Sequence, residues 1–284
     1  MIKSYKAKRI LGDTLIYIFL SVAAIMWILP FVWLIMTSFS AEDAIHLTYV
    51  IPKKFSFDNY IQLFEDTSVI NYGKWFTNTL LVATCSCAIS SISLLMVSYT
   101  FSRLRFKARK TFINIGMILG MFPGFLTMIA VYYVLKAMGL TQSLVALIII
   151  YSAGASLGYF VAKGFFDTIP RALDEAATID GANKNQIFFK IIVPMSKPII
   201  VYTILTAFIG PWADFILAKI IMGDNKANYT IAVGLWQMLD KDFYETFFYR
   251  FCSGSVLIAI PITALFMFMQ RYYVEGVTGG AVKG

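Results

Sequence analysis

Few residues in this chain could do covalent or metal chemistry, and they do not form a set. There is one histidine, His46, and there are three cysteines, Cys85, Cys87 and Cys252. A Cys-x-Cys pair on a helix directs its thiols about 200° apart, so Cys85 and Cys87 do not converge on one metal ion. They read as small apolar packing residues. One loop histidine cannot complete a His-Glu-x-x-His zinc site or a Ser/His/Asp triad. The only Gly-Lys dipeptide is Gly73-Lys74, and Ser68 stands where a phosphate loop needs its first glycine. No catalytic residue, no metal site and no cofactor bound by this chain are expected. Two ionisable residues remain inside apolar sequence, Asp214 and Lys219. A charge at the centre of a bilayer costs about 2.5–3.5 kcal/mol on insertion scales, so Asp214 should face a cavity or a partner.

The elements that carry these residues are set by composition. Of the 284 residues, 59% are hydrophobic and 14% charged, against about 25% charged in a soluble domain. Five runs lack Asp, Glu, Lys and Arg altogether: 14–41, 75–102, 111–135, 137–162 and 251–270. Each reaches the roughly 20 residues that a helix needs to cross the hydrocarbon layer. A sixth apolar stretch, 198–222, holds Asp214 and Lys219. The expected fold is therefore all-α, a polytopic membrane protein with six transmembrane helices near 14–38, 75–101, 111–135, 141–163, 198–222 and 251–271. The first is too long for a signal peptide and reads as a retained span.

Basic residues orient the spans. Segments at the N-terminus, 103–110, 163–197 and the tail carry 16 lysines and arginines, and the opposite side carries 7. That asymmetry puts both termini in the cytoplasm. It divides the chain into a cytoplasmic segment 1–13, a membrane domain 14–273 with a cytoplasmic loop 164–197, and a tail 274–284. The net charge of +8 is explained by the same asymmetry and by anionic headgroups. No basic stripe with interleaved aromatics points to nucleic acid. The outer segments 40–74 and 223–249 are aromatic-rich. Their aromatics read as interfacial anchors or as contacts for an external partner.

The loop 164–197 is the most structured cytoplasmic segment. Thr168 and Pro170 read as a helix start, Arg171 to Ile179 as a short helix with Asp174 and Glu175 in its early turns, and Gly181 as a positive-φ stop. A second helix from about Asn183 to Val193 carries Ile187, Phe188, Ile191 and Ile192 on one stripe, with Pro194 ending it. Ala172, Ala176, Ala177 and Gly181 give the first helix a small-residue side, suited to the groove of a soluble partner.

The string Glu175-Ala176-Ala177, followed by Asp180, Gly181, Ile191 and Pro194, resembles the EAA loop of ABC-importer permeases. Pro52 to Tyr60 is similar to that family's proline-to-Asn-Tyr element. Phe208 to Phe215 is similar to the fifth-span Trp-Asn-Asp-Phe element of sugar permeases, with Ala213 where Asn is common. Tyr229 to Leu235 and the ending Gly276 to Gly284 resemble MalG-type permeases of maltose and maltodextrin importers.

The resemblance implies a type I ABC importer permease fold with a cytoplasmic coupling helix. It implies a heterodimer with a second, MalF-like permease, two ATPase subunits that bind the ATP and Mg, and an extracytoplasmic sugar-binding protein, all at a bacterial plasma membrane. Glu175, Ala176, Ala177, Asp180, Gly181 and Ala182 would couple to the ATPase, and Gly279, Gly280 and Lys283 would lie in a tail at the ATPase interface. Trp212, whose flat face suits a sugar ring, and Asp214 are candidates for the substrate pathway; a structural role for Asp214, at a subunit contact or linked to Lys219, is the alternative. The transported substrate would be a maltodextrin-like α-glucan or another oligosaccharide or glycoside. A secondary transporter would need more intramembrane ion ligands than this chain has, and a membrane-embedded enzyme would need a catalytic set.

Overall fold

The computed structural model describes residues 2–42, 50–65, 67, 69–155 and 158–281, with 2–8, 155 and 271–281 described as backbone only. His46 and Lys283 lie outside the described residues. In chain order the helices are α1 (Ile2–Ser38), α2 (Asp58–Glu65), α3 (Tyr72–Arg103), α4 (Arg109–Gly120), α5 (Gly124–Ala137), α6 (Leu144–Ala155), α7 (Tyr159–Thr168), α8 (Ala172–Ile179), α9 (Lys184–Ile187), α10 (Val193–Met195), α11 (Lys197–Ala213), α12 (Ile216–Met222), α13 (Ile231–Met238) and α14 (Tyr244–Ala281). A π-helical stretch, Phe188–Ile192, joins α9 to α10, and a 3₁₀ turn, Lys226–Asn228, precedes α13.

Among the described residues, four helical stretches are long and apolar enough to cross a membrane: Arg9–Ser38, Tyr72–Arg103, Leu144–Thr168 and Tyr244–Gln270. Two further pairs qualify together but are bent, Arg109–Gly120 with Gly124–Ala137 by 104° and Lys184–Met195 with Lys197–Ala213 by 83°. Counting each bent pair once gives six, the number expected from the five charge-free runs and the apolar stretch 198–222. The expected straight third span is a correction: it breaks before Pro123, which lacks an N–H and biases Phe122 away from the helical region.

The chain divides into two units, Met1–Ile70 with Gln237–Leu257, and Asn71–Trp236 with Ile258–Gly284. In the first unit α1 is apolar on every side, and Trp27 is 77% exposed. Such a helix is built for lipid or for another chain. The Asn-Tyr element secures its C-terminal end. Asn59 donates from Nδ2 to Ser38 O (3.2 Å) and Ser40 O (2.7 Å), the Tyr60 hydroxyl pairs with Ser38 Oγ (2.7 Å), and Phe39 packs edge-on against Phe57. Ser253 of α14 also donates to Ser38 O, at 3.0 Å. Phe247 and Phe248 are buried within this unit, so part of the aromatic run 243–249 is scaffold.

In the second unit α3 is the central helix, packed against α6, α7 and α11. Its N-terminal end grips the segment before α13. Trp75 Nε1 donates to Lys226 O (3.2 Å), Asn78 Nδ2 to Ala227 O and Tyr229 O (3.0 Å each), and Thr79 Oγ1 accepts from Ile231 N (2.7 Å). Here lies the reason for a glycine at 234: a β-carbon there would overlap the Trp75 indole ring. Lys219 does not pair with Asp214. Its Nζ donates to Gly223 O (2.8 Å) and the Tyr229 hydroxyl (2.9 Å) and lies 3.5 Å from Asp224.

Gly234→Ala is expected to destabilise the protein by about 1–3 kcal/mol, the range for forced overpacking. Thermal unfolding of the purified protein in detergent, or of a complex containing it, measures this. An unchanged midpoint would show that the Trp75 ring can move away freely.

Candidate functional site

The loop 164–197 is held in place by the C-terminal end of α3. Arg103, the last residue of that helix, sends Nη2 to Phe166 O (2.9 Å) and Ile169 O (2.8 Å), so its guanidinium covers carbonyls at the C-terminal end of α7. A cation at a helix C-terminus meets the negative end of the dipole. The same guanidinium lies with Nε 3.4 Å from Asp174 Oδ2 on α8. The side chains of this pair are 4% and 17% exposed, a buried ion pair. Next to it, Ser102 Oγ donates to Asp167 Oδ1 (2.6 Å), Lys163 pairs with Asp167 Oδ2 (2.6 Å), and the Tyr99 hydroxyl donates to Lys184 O (3.1 Å) at the start of α9.

α8 spans Ala172–Ile179 and buries none of its residues fully. Only Asp174 and Ala177, three apart on one face, turn inward. Ala177 and Ala182 pack against a core of Leu95, Tyr99, Phe166, Ile187 and Phe188. Glu175, Ala176, Asp180 and Gly181 are exposed, and Ile179 is 86% exposed. The small-residue side expected from sequence is therefore divided: Ala177 serves the chain's own packing, while Ala172, Ala176 and Gly181 stay open. An open cleft of about 550 Å³ runs beside α8, lined by Arg103, Arg105, Arg171, Asp174, Glu175 and Lys184 among others.

Two local expectations are corrected. Thr168 does not cap α8; it is the last residue of α7, and its hydroxyl donates back to Phe165 O (2.7 Å). The residue before α8 is Arg171, which makes no side-chain cap, and the buried Arg103–Asp174 pair fixes that end instead. Pro194 does not end the second helix. It sits in the first turn of α10, where its missing N–H is tolerated, and the π-helical Phe188–Ile192 absorbs the change. Ile187, Phe188 and Ile192 are buried and Ile191 only partly so. Gly181 has φ +83°, and Asn183 opens α9 with a capping box closed by Gln186.

At the other candidate site, α11 stops at Ala213 and α12 starts at Ile216. Asp214 sits in the break. Its Oδ1 accepts from Leu217 N (3.1 Å), and its Oδ2 accepts from the Tyr151 hydroxyl (2.9 Å). The carboxylate acts as an N-cap for the restarted helix. Trp212 is 3% exposed and packs against Phe76 and Phe208, so its ring offers no open face here. Gly279 and Gly280 lie in the helical backbone of α14. The thiols of Cys87 and Cys252 are buried, and no group of three or more metal-ligating side chains occurs among the described residues. Gly73-Lys74 is the first turn of α3, capped by Asn71.

Sequence reasoning counted Arg103 for orientation only and Asp174 for the helix dipole only. Their pairing joins positions far apart in the chain, so no local pattern announces it. The available signal was that Arg103 is the first charge after a 28-residue run.

Residues 89–279, which include this site, match the family described as "Binding-protein-dependent transport system inner membrane component". The chain belongs to that family and is a multi-pass permease component of an ABC importer. It is similar to the galactooligosaccharides transport system permease protein GanQ of Bacillus subtilis (strain 168), 33% identical over 285 residues and all of both chains. It is equally similar to the maltodextrin transport system permease protein MalD of Streptococcus pneumoniae (strain ATCC BAA-255 / R6), 33% over 285 residues and again all of both. Its fold is that of a chain in the crystal structure of a bacterial ABC transporter that imports the acidic polysaccharide alginate, with a TM-score of 0.79 at 20% identity, covering 94% of this chain and 98% of that one.

Gly181 allows a graded test of the turn. No atom lies within 4 Å of a β-carbon built there, so substitution carries only backbone strain. Gly181→Ala is expected to cost about 1 kcal/mol. Gly181→Asn should cost less, because Asn tolerates positive φ, and Gly181→Val more. Residual folded protein after a heat step ranks the three; a flat ranking would mean the turn relaxes.

Proposed function

We propose that this chain is a non-catalytic membrane subunit of an ATP-driven oligosaccharide importer, and that α8 is the coupling helix through which ATPase subunits move it. The observation that carries the reading is the division of α8. Asp174 and Ala177 anchor it to its own chain, while Glu175, Ala176 and Ile179 face outward on a short helix. Such an element can be pushed without being pulled out. Ala176 permits close approach of another backbone, Ile179 gives an apolar knob, and Glu175 suits a basic group on the ATPase.

The working complex pairs this chain with a second, MalF-like permease, two ATPase subunits carrying ATP and Mg, and an extracytoplasmic sugar-binding protein. Both termini and α8 lie on the cytoplasmic side in this reading, supported by the distribution of basic residues. Gly279 and Gly280, near the end of α14, belong to the tail that faces the ATPase in this reading. ATP closes the ATPase pair, the coupling helices approach one another, and the spans alternate between inward and outward access. Asp214 holds the broken fifth span in shape at the pathway, with Trp212 behind it. The substrate class rests on relatives named for galactooligosaccharides and maltodextrin, which stand at the same identity. A galactan oligosaccharide and an α-glucan are therefore equal candidates, and the binding protein's ligand decides between them.

Reconstitution of the chain with its co-purifying partners in liposomes tests the reading. ATP-dependent, binding-protein-dependent accumulation of labelled maltotetraose or galactotetraose is expected. Accumulation by this chain alone on a proton gradient would sink it. Within an active complex, Glu175→Lys should lower uptake about tenfold or more while the protein stays in the membrane, in line with like-charge juxtaposition costing several kcal/mol. Uptake equal to wild type would remove Glu175 from the ATPase contact.

A further inference from the structure

Arg103 is charged and buried, yet it is not on α8 and does not belong to the exposed surface that an ATPase would touch. Its guanidinium engages three separate elements: the α7 carbonyl of Phe166 at 2.9 Å, the Ile169 carbonyl of the α7–α8 connection at 2.8 Å, and the Asp174 carboxylate of α8 at 3.4 Å. Four residues earlier on α3, the Tyr99 hydroxyl reaches Lys184 O beyond the Gly181 turn, at 3.1 Å. α3 therefore holds α8 from both flanks, with Ala177 seated in the core between them. One buried oxygen of Asp174, Oδ1, and Arg103 Nε form no hydrogen bond, so the pair is held by charge and by the guanidinium's other bonds.

We propose that Arg103 is a positioning residue for energy coupling: it locks α8 to the C-terminal end of α3, so that displacement of α8 becomes displacement of α3. The proposal rests on the reading of α8 as the coupling helix. A planar guanidinium is needed because the three acceptors are spread around it. A lysine ammonium is a single point and cannot serve all three at these distances. If the lock were absent, α8 could tilt at the Ile169–Pro170 connection and at Gly181, the positive-φ turn, and ATPase motion would be absorbed there.

The experiment uses the whole complex in liposomes with its binding protein and with whichever of labelled maltotetraose or galactotetraose the wild type accumulates. Three quantities are read for each variant: assembled complex recovered, ATP hydrolysed, and sugar accumulated per ATP. Arg103→Ala is expected to hydrolyse ATP while sugar per ATP falls about two- to thirtyfold, the range for residues on a coupling route. Arg103→Lys should fall between this and wild type. Asp174→Asn should lose less than Arg103→Ala, because both carbonyl bonds survive.

Two results overturn the proposal: an assembled Arg103→Ala complex with wild-type sugar per ATP, or uptake and hydrolysis that fall together in proportion to recovered complex. The second would mean that Arg103 only stabilises the fold. Should Arg103→Ala fail to assemble, Arg103→Lys and Asp174→Asn decide on the same ratio, and wild-type values in both overturn it. A wild-type complex that hydrolyses ATP and accumulates neither sugar overturns the oligosaccharide reading, which separates that failure from failure of the Arg103 lock alone.

Discussion

A backbone N–H or C=O shut away from water, whether by lipid or by packed side chains, must find a partner inside the protein, and the breaks in this chain's helices are shaped by that requirement. An unbroken span satisfies itself. A broken one leaves orphan groups on both sides of the break, and each costs free energy unless a side chain reaches it. At 214–215 the Asp214 carboxylate takes the Leu217 N–H and is steadied by Tyr151. At the end of α7 the Arg103 guanidinium takes the Phe166 and Ile169 carbonyls. At the segment before α13, Trp75, Asn78 and Thr79 supply the partners. The charged and amide side chains inside this apolar molecule are where its backbone leaves the helix.

Two of these three places are the two ends of α3. That helix has 32 residues and spans about 48 Å at 1.5 Å per residue. Its C-terminal end holds the loop that carries α8, and its N-terminal end holds residues 226–231, in each case by side chain to backbone hydrogen bonds. α3 is thus fastened at both of its ends, and packs along its length on α6, α7 and α11. A rod fastened at both ends transmits displacement between them with little loss, whereas one held only by apolar contacts can slide. Gly234 belongs to the same device, since only a residue without a β-carbon lets α13 lie against Trp75.

What could be read from sequence follows from how local each signal is. Charge-free runs mark helices in lipid because the penalty for a buried charge acts residue by residue, and they marked five of the six apolar segments. The Gly181 turn was legible because a positive φ constrains one residue. The EAA string marked α8, and the Asn-Tyr element marked a segment that proves to tie off α1. What could not be read was non-local. Thr168 had the composition of a cap, but the end of α8 is fixed by an arginine on another helix. Pro194 had the composition of a stop, but the π-helical turn before it makes room for the ring. The bend at Pro123 was hidden because an apolar run looks the same whether its helix is straight or broken.

The Arg103–Asp174 pair also explains why α8 can be so short. Eight residues are too few for a stable isolated helix, because nucleation costs more than a turn or two returns. Burying an apolar face would normally make up the difference, yet α8 buries no residue fully. It is held by one ion pair near its start, by Ala177 at its middle, and by the Gly181 turn with the Asn183 capping box beyond its end. These attachments use only the inward face. Everything outward, from Glu175 to Ile179, is left free of structural duty within this chain, which is the condition a helix must meet if another protein is to press on it and have the force arrive in the membrane.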